Sequence, residues 1–361
     1  MTNFNADAFS KSLLRAVPLS VVGLLTCTAP SAAADCRLKE AASIPISFDA
    51  GGRILLDVKI NDTPAKMVLD TGAGFSVLDN GFVKRQGLPQ LDAQRFGYGL
   101  TGRAVDSATQ IARLSLGTAV SHGETFAVGT VDRDGTDTPP AGTFANDYLA
   151  NFDVEIDPAA GRVNLFSPDH CRGNVVYWAK EYFRLPARLT DRRQLQVDIE
   201  VNGTPLRAVI DTSIAETTMR LATGRDRFGI TPDSAAGEAH GTIIGVEGSK
   251  LETFEHPFDS LTFDGITLRN TQMMIADIDV GRNGERVGQN FAGVEPSLNL
   301  QRRSMSNIVN SDNPNAASHI TGDPEQPDVL IGMALLRKLH LFIDYHEPAL
   351  YYTLAEQKAA G

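Results

Sequence analysis

The stretch Asp57-Val-Lys-Ile-Asn-Asp-Thr-Pro-Ala-Lys-Met-Val-Leu-Asp70-Thr71-Gly72 decides how this chain is read. It returns without a gap as Asp198-Ile-Glu-Val-Asn-Gly-Thr-Pro-Leu-Arg-Ala-Val-Ile-Asp211-Thr212-Ser213. The constant offset pairs Asp70 with Asp211, Asn61 with Asn202, Pro64 with Pro205 and, further upstream, Pro45 with Pro186. Each copy holds two short apolar runs around an Asn-Asp or Asn-Gly turn, the pattern of a β-hairpin. Strands are expected over 54–60 and 65–69, and again over 195–201 and 206–210. The second strand of each hairpin ends on Met67-Val68-Leu69 or Ala208-Val209-Ile210, so an aspartate emerges where a buried strand breaks into a tight turn. One Asp-Thr-Gly alone carries little weight, since all three residues favour turns. Its repetition in matched strand contexts points to one carboxylate from each of two related halves.

The copies also end alike. Leu149-Ala-Asn-Phe-Asp-Val-Glu-Ile-Asp157 corresponds to Leu336-Arg-Lys-Leu-His-Leu-Phe-Ile-Asp344, and each is read as a short helix, near 146–151 and 333–338, running into a hairpin. The second copy is longer, and most of its surplus falls in 279–327, a polar stretch read as a surface loop. Period-two runs punctuated by Gly, Pro, Asn and Asp dominate, so the expected class is all-β. The expected organisation is an export signal over 1–34, a first lobe over 35–166, an aromatic linker over 167–184 that packs along both lobes, and a second lobe over 185–361.

With 361 residues and 42% hydrophobic content, the chain can build two ordinary cores. A net charge of −11, with no basic run, argues against a nucleic-acid partner. Lys11 and Arg15, the apolar stretch from Ala16 to Ala29 and Ala32-Ala33-Ala34 read as a cleavable export signal, which implies a periplasmic or secreted protein. The apolar stretch is shorter than the ~20 residues needed to cross a bilayer, so no membrane span is expected in the mature chain. Cys36 and Cys171 flank the first lobe; an oxidising compartment favours a disulfide between them over two unpaired thiols. The seven histidines show no metal-binding spacing, and there is neither a phosphate loop nor a nucleophile elbow.

Asp70-Thr71-Gly72, Asp211-Thr212-Ser213 and the later Val329-Leu330-Ile331-Gly332 resemble the pepsin-like and retroviral-type aspartic proteases, especially bacterial secreted proteins with two retroviral-like lobes in one chain. The resemblance spans about 44–166 and 185–354. It implies two pseudo-symmetric β-barrel lobes, Asp70 and Asp211 activating a water between them, and Thr71 and Thr212 locking the lobes through a hydrogen-bonded grip. It also implies glycine-rich flaps over an extended peptide: Phe96-Gly97-Tyr98-Gly99-Leu100-Thr101-Gly102 in lobe 1 and Ala239-His240-Gly241-Thr242 in lobe 2. No metal or other cofactor is implied, the partner is a peptide or protein substrate, and the internal duplication makes a monomer the expectation. This chain departs from the pattern twice. Ser213 stands where glycine is expected beside the carboxylates, and Ala145 stands in lobe 1 where lobe 2 has Gly332. The first departure keeps a second reading open, a protease-like peptide- or protein-binding module.

Overall fold

The computed structural model describes residues 37–133, 139–170, 172–231, 241–264, 266–278 and 326–355. The 1–34 segment read as an export signal, Cys36, Cys171, Ala239, His240 and all of the 279–327 stretch except its last two residues lie outside them. The first half contains β1 (Glu40–Phe48), β2 (Ile54–Ile60), β3 (Thr63–Leu69), β4 (Val77–Asp79), β5 (Leu91–Tyr98), β6 (Ala104–Leu116), β7 (Ala119–Gly129), β8 (Gly142–Phe144), β9 (Asp153–Asp157) and β10 (Arg162–Phe166), with helices α1 (Asn80–Arg85) and α2 (Asn146–Leu149). The second half repeats the series as β11 (Phe183–Leu189), β12 (Leu195–Val201), β13 (Thr204–Ile210), β14 (Thr218–Arg220), β15 (Gly241–Ile244), β16 (Lys250–Phe263), β17 (Ile266–Ala276), β18 (Val329–Ile331), β19 (Leu339–Asp344) and β20 (Ala349–Leu354), with α3 (Leu221–Phe228) and α4 (Met333–Leu336).

The opening hairpins form because the turn chemistry and the strand period agree. Ile54, Leu56, Val58 and Ile60 point into the core while Asp57 and Lys59 point out. Asn61 and Asp62 take φ of 47° and 67°, and Asn202 and Gly203 take 49° and 72°, the left-handed pair that a two-residue hairpin loop demands. The asparagine does more than turn the chain. Asn61 Oδ1 accepts the Ala112 and Arg113 N–H groups, and Asn202 Oδ1 accepts that of Ser260, so each hairpin is pinned to the long strand beside it.

Each half closes into a six-stranded barrel. In the first, β2 pairs with β3, β3 runs parallel to β8, β8 is antiparallel to β4, β4 runs parallel to β7, and β7 and β6 lead back to β2. The second follows the same circuit through β12, β13, β18, β14, β17 and β16. Because β8 lies between β3 and β4, and β18 between β13 and β14, the chain must cross from one side of that strand to the other. The aspartate turn is that crossing. Asp70 N–H donates to Phe144 O at 2.9 Å, and Asp211 N–H to Ile331 O at 3.0 Å, so each turn is anchored on the central strand.

A separate six-stranded antiparallel sheet joins the halves in the order β1, β10, β9, β19, β20, β11. Its midline is the β9–β19 pair, with Val154 opposite Ile343 and Ile156 opposite Leu341. One face feeds the main core. The other is covered by the aromatic segment before β11: Trp178 stacks on His340 at 4.0 Å, its Nε1 donates to Thr353 Oγ1, and Tyr177 Oη donates to Glu155. Helices α1 and α3 are absent from the expectations drawn above. At six and eight residues they are too short to show a period, and their signals are local: Asp79 Oδ1 caps the Phe82 N–H, and Gly229 ends α3 at φ 68°. No helix among the described residues is long and apolar enough to cross a membrane.

Candidate active site

Two threonines hold the aspartate turns together. Thr71 Oγ1 donates to Ile210 O at 2.7 Å, and Thr212 Oγ1 donates to Leu69 O at 2.7 Å. Each hydroxyl also accepts the other threonine's backbone N–H at 3.2 Å. Both residues are fully buried. A hydroxyl suits this exchange because it donates once and still accepts, and a β-branched side chain loses little rotamer freedom when fixed.

Asp70 and Asp211 are thereby brought into one buried site, at 7% and 5% exposure. Gly72 N–H donates to Asp70 Oδ1 at 3.1 Å, and Ser213 N–H to Asp211 Oδ1 at 2.9 Å. A methyl group at Gly72 would lie 2.2 Å from Asp211 Cγ, so the second carboxyl rests on the first turn's backbone and glycine is required there. Ser213, at the matching place in the other turn, is no strained intruder. Neither it nor Gly72 is among the residues with positive φ, and Ser213 Oγ donates to Asp211 Oδ1 at 2.7 Å. The departure from glycine adds a hydrogen bond to the carboxyl.

The electrostatics follow from burial and proximity. Burial, and then the charge of Asp211, push the Asp70 carboxyl from 3.8 up to about 8. Burial also raises the Asp211 carboxyl, opposed by the two hydrogen bonds from Ser213. The pair can therefore hold one proton between its two carboxyls over a wide pH range.

Several supporting residues carry no motif. Gln194 Nε2 donates to Gly72 O, while Asn146 Nδ2 donates to Thr71 O at 2.8 Å and its Oδ1 accepts Tyr345 Oη at 2.8 Å. Gln194 could have been suspected, because the repeat offset pairs it with Arg53, another polar residue just ahead of a buried strand. Asn146 has no such cue, since its counterpart is Met333. Gly332 N–H donates to Thr217 Oγ1, and a methyl group there would lie 2.6 Å from the Glu216 carbonyl. Ala145, in the equivalent place, is accommodated fully buried and donates its N–H to Ser76 Oγ at 2.8 Å.

The β5–β6 hairpin carries Gly97 and Tyr98 at the end of β5 and turns through Gly99–Gly102. Gly97 is needed for packing, because a methyl group would meet the Phe75 ring at 2.3 Å. In the second half, Gly241 and Thr242 of the expected flap segment open β15, while Ala239 and His240 lie outside the described residues. The β15–β16 turn lies at Gly245–Ser249, closed by Gly245 N–H to Ser249 O, and Gly241 sits at the outer start of β15. The two tips touch: Glu247 Oε1 accepts Thr101 N–H at 3.0 Å and Thr101 Oγ1 at 2.7 Å. They also exchange apolar residues. Leu100 packs on Val209, Ala276, Ile278 and Leu330, and Val246 packs with Val77 and Phe96.

A family model described as aspartyl protease matches residues 56–142 and 197–335, together more than half of the chain. No curated protein matches. The two matched regions contain the two aspartate turns and most of the strands of the two closed barrels. The chain belongs to the aspartyl protease family.

Proposed function

We propose that this protein is an aspartic endopeptidase whose dyad is Asp70 and Asp211. The observation that carries this reading is the reciprocal threonine exchange, which holds two buried carboxyls, one from each half, beside one another. Two such groups cannot both ionise at low cost, so one stays protonated. Both carboxyls are buried and both accept hydrogen bonds, but Asp70 also lies under the charge of Asp211, so Asp70 keeps the proton and Asp211 is the anion. Asp211 then takes a proton from a water as that water attacks the scissile carbonyl carbon, and Asp70 donates its proton to the carbonyl oxygen. As the tetrahedral intermediate collapses, a proton passes to the leaving amine and the C–N bond breaks. The apolar residues beneath the hairpin tips supply walls for an extended peptide.

The test is peptide cleavage by the wild-type chain and by Asp70→Asn and Asp211→Asn variants. Each variant should lose about 10³-fold or more in kcat while still unfolding in one cooperative transition, and statine-type mimics should block the wild type. Full cleavage by either variant overturns the assignment. A wild type that binds extended peptides without cleaving them would favour the binding-module reading instead.

A further inference from the structure

Beside the midline of the inter-lobe sheet lies a group of ionisable side chains that the dyad does not use. Asp153 opens β9 and Asp344 closes β19, one step beyond the Val154–Ile343 pair, and both are fully buried. Asp153 Oδ2 is paired with His170 Nε2 at 2.6 Å, from the segment after β10. Asp153 Oδ1 accepts Tyr345 N–H at 3.0 Å and lies 3.5 Å from His346 Nδ1. Asp344 Oδ1 accepts the His346 and Glu347 N–H groups, whereas Asp344 Oδ2 is buried with no hydrogen-bond partner. Potential ligand atoms of Asp153, Asp344 and His346 all lie within 4.8 Å of one another.

Two buried carboxylates side by side, one with an unsatisfied oxygen, call for a cation. His170 offers at most one positive charge, and its hydrogen bond is spent on the far oxygen of Asp153. From these contacts we infer that Asp153, Asp344 and His346 form a binding site for a divalent transition-metal ion of the zinc type, with His170 orienting Asp153 from behind. The donor chemistry fits: zinc takes carboxylate oxygen and imidazole nitrogen, and two ligands on one tetrahedral ion stand about 3.3 Å apart at Zn–ligand distances of ~2.0–2.1 Å. A carboxylate held by a second group on its free oxygen is the usual support of such a site. The His346 side chain is 31% exposed and opens the group to solvent, leaving a coordination position for water.

The site lies where the two halves meet. It joins a strand of the first half to the last turn of the second, and Tyr345, between two of the ligands, reaches Asn146 and through it the Thr71 carbonyl. Occupancy would hold the sheet midline without entering the chemistry of the dyad, so the inference stands apart from the proposed peptidase activity.

The experiment uses the full chain, freed of metal by a chelator, then titrated with Zn²⁺ and followed by calorimetry and elemental analysis. The expected result is about one zinc per chain and a raised melting temperature. His346→Ala should weaken zinc binding at least tenfold while leaving the melting temperature of the metal-free chain close to wild type. Asp70→Asn should keep the full zinc response, which separates this site from the other buried carboxyl pair. Ca²⁺, which prefers all-oxygen sites, should give a smaller rise. No zinc bound, an undiminished response in His346→Ala, or an equal response to Ca²⁺ each overturns the proposal.

Discussion

At the scale of single residues, the dyad is a matter of which atoms crowd which carboxyl. Gly72 and Ser213 occupy equivalent places and do opposite things: one makes room for Asp211, the other donates to it. Gly72→Ala should therefore displace Asp211, with a destabilisation of about 1–3 kcal/mol in urea unfolding and loss of cleavage. Ser213→Ala removes a donor from the more acidic carboxyl, so Asp211 should ionise at higher pH. A hydrogen bond to a charged group is worth ~1.5–3 kcal/mol, which moves the acid limb of the kcat/KM profile up by about one to two pH units. An acid limb unmoved by the substitution would place the proton differently. The alkaline limb belongs to Asp70 and should fall near pH 8, where its proton leaves. The same shift acts on stability. A carboxyl whose pKa is raised on folding holds its proton more tightly in the native state, so stability declines as pH rises from about 4 towards 8, and Asp70→Asn should flatten that slope.

At the scale of elements, the two hairpin tips form a latch. Glu247 takes two hydrogen bonds from Thr101 across the tips and one from Ser249 within its own turn. Gly99 permits the approach, because a methyl group there would overlap the Glu247 carboxylate. Glu247→Ala removes the acceptor and should loosen both tips, seen as faster amide exchange at 99–102 and 245–249 with little change in global stability. Exchange that stays at the wild-type rate would show that the packing of Leu100 and Val246, with the Thr130 N–H to Val246 O bond, holds the tips closed. The opening hairpins were legible in the sequence to within a residue or two, since turn chemistry and strand period are both local. The position of the second tip, at Gly245–Ser249, is decided by the pairing of β15 with β16, since glycine marks only where a turn is possible.

At the scale of the molecule, the joins between the two closed barrels include the threonine exchange at the dyad, the β9–β19 midline and the contact of the hairpin tips. Thr71 and Thr212 satisfy each other's halves, so the substitutions Thr71→Val and Thr212→Val should be strongly non-additive. Each alone leaves a buried carbonyl and an N–H short of partners, at about 1–3 kcal/mol. Once one is made, the second should cost less, and a double-mutant cycle in urea reads the coupling directly. Additive losses would mean that the two turns are held independently.

The amino-acid sequence by itself determined the duplication, the hairpins and the aspartate that ends each one, because these rest on periodicity and turn preferences acting over a few residues. It also pointed to the family through Asp70-Thr71-Gly72 and its echo. Tertiary structure alone decided what surrounds those groups: Gln194 and Asn146 behind the turns, the hydroxyl of Ser213 on Asp211, Glu247 between the tips, and the meeting of Asp153 with Asp344 and His346. The partners in each case lie in segments distant along the chain, and their proximity follows from how the barrels close and pair, which no local pattern encodes.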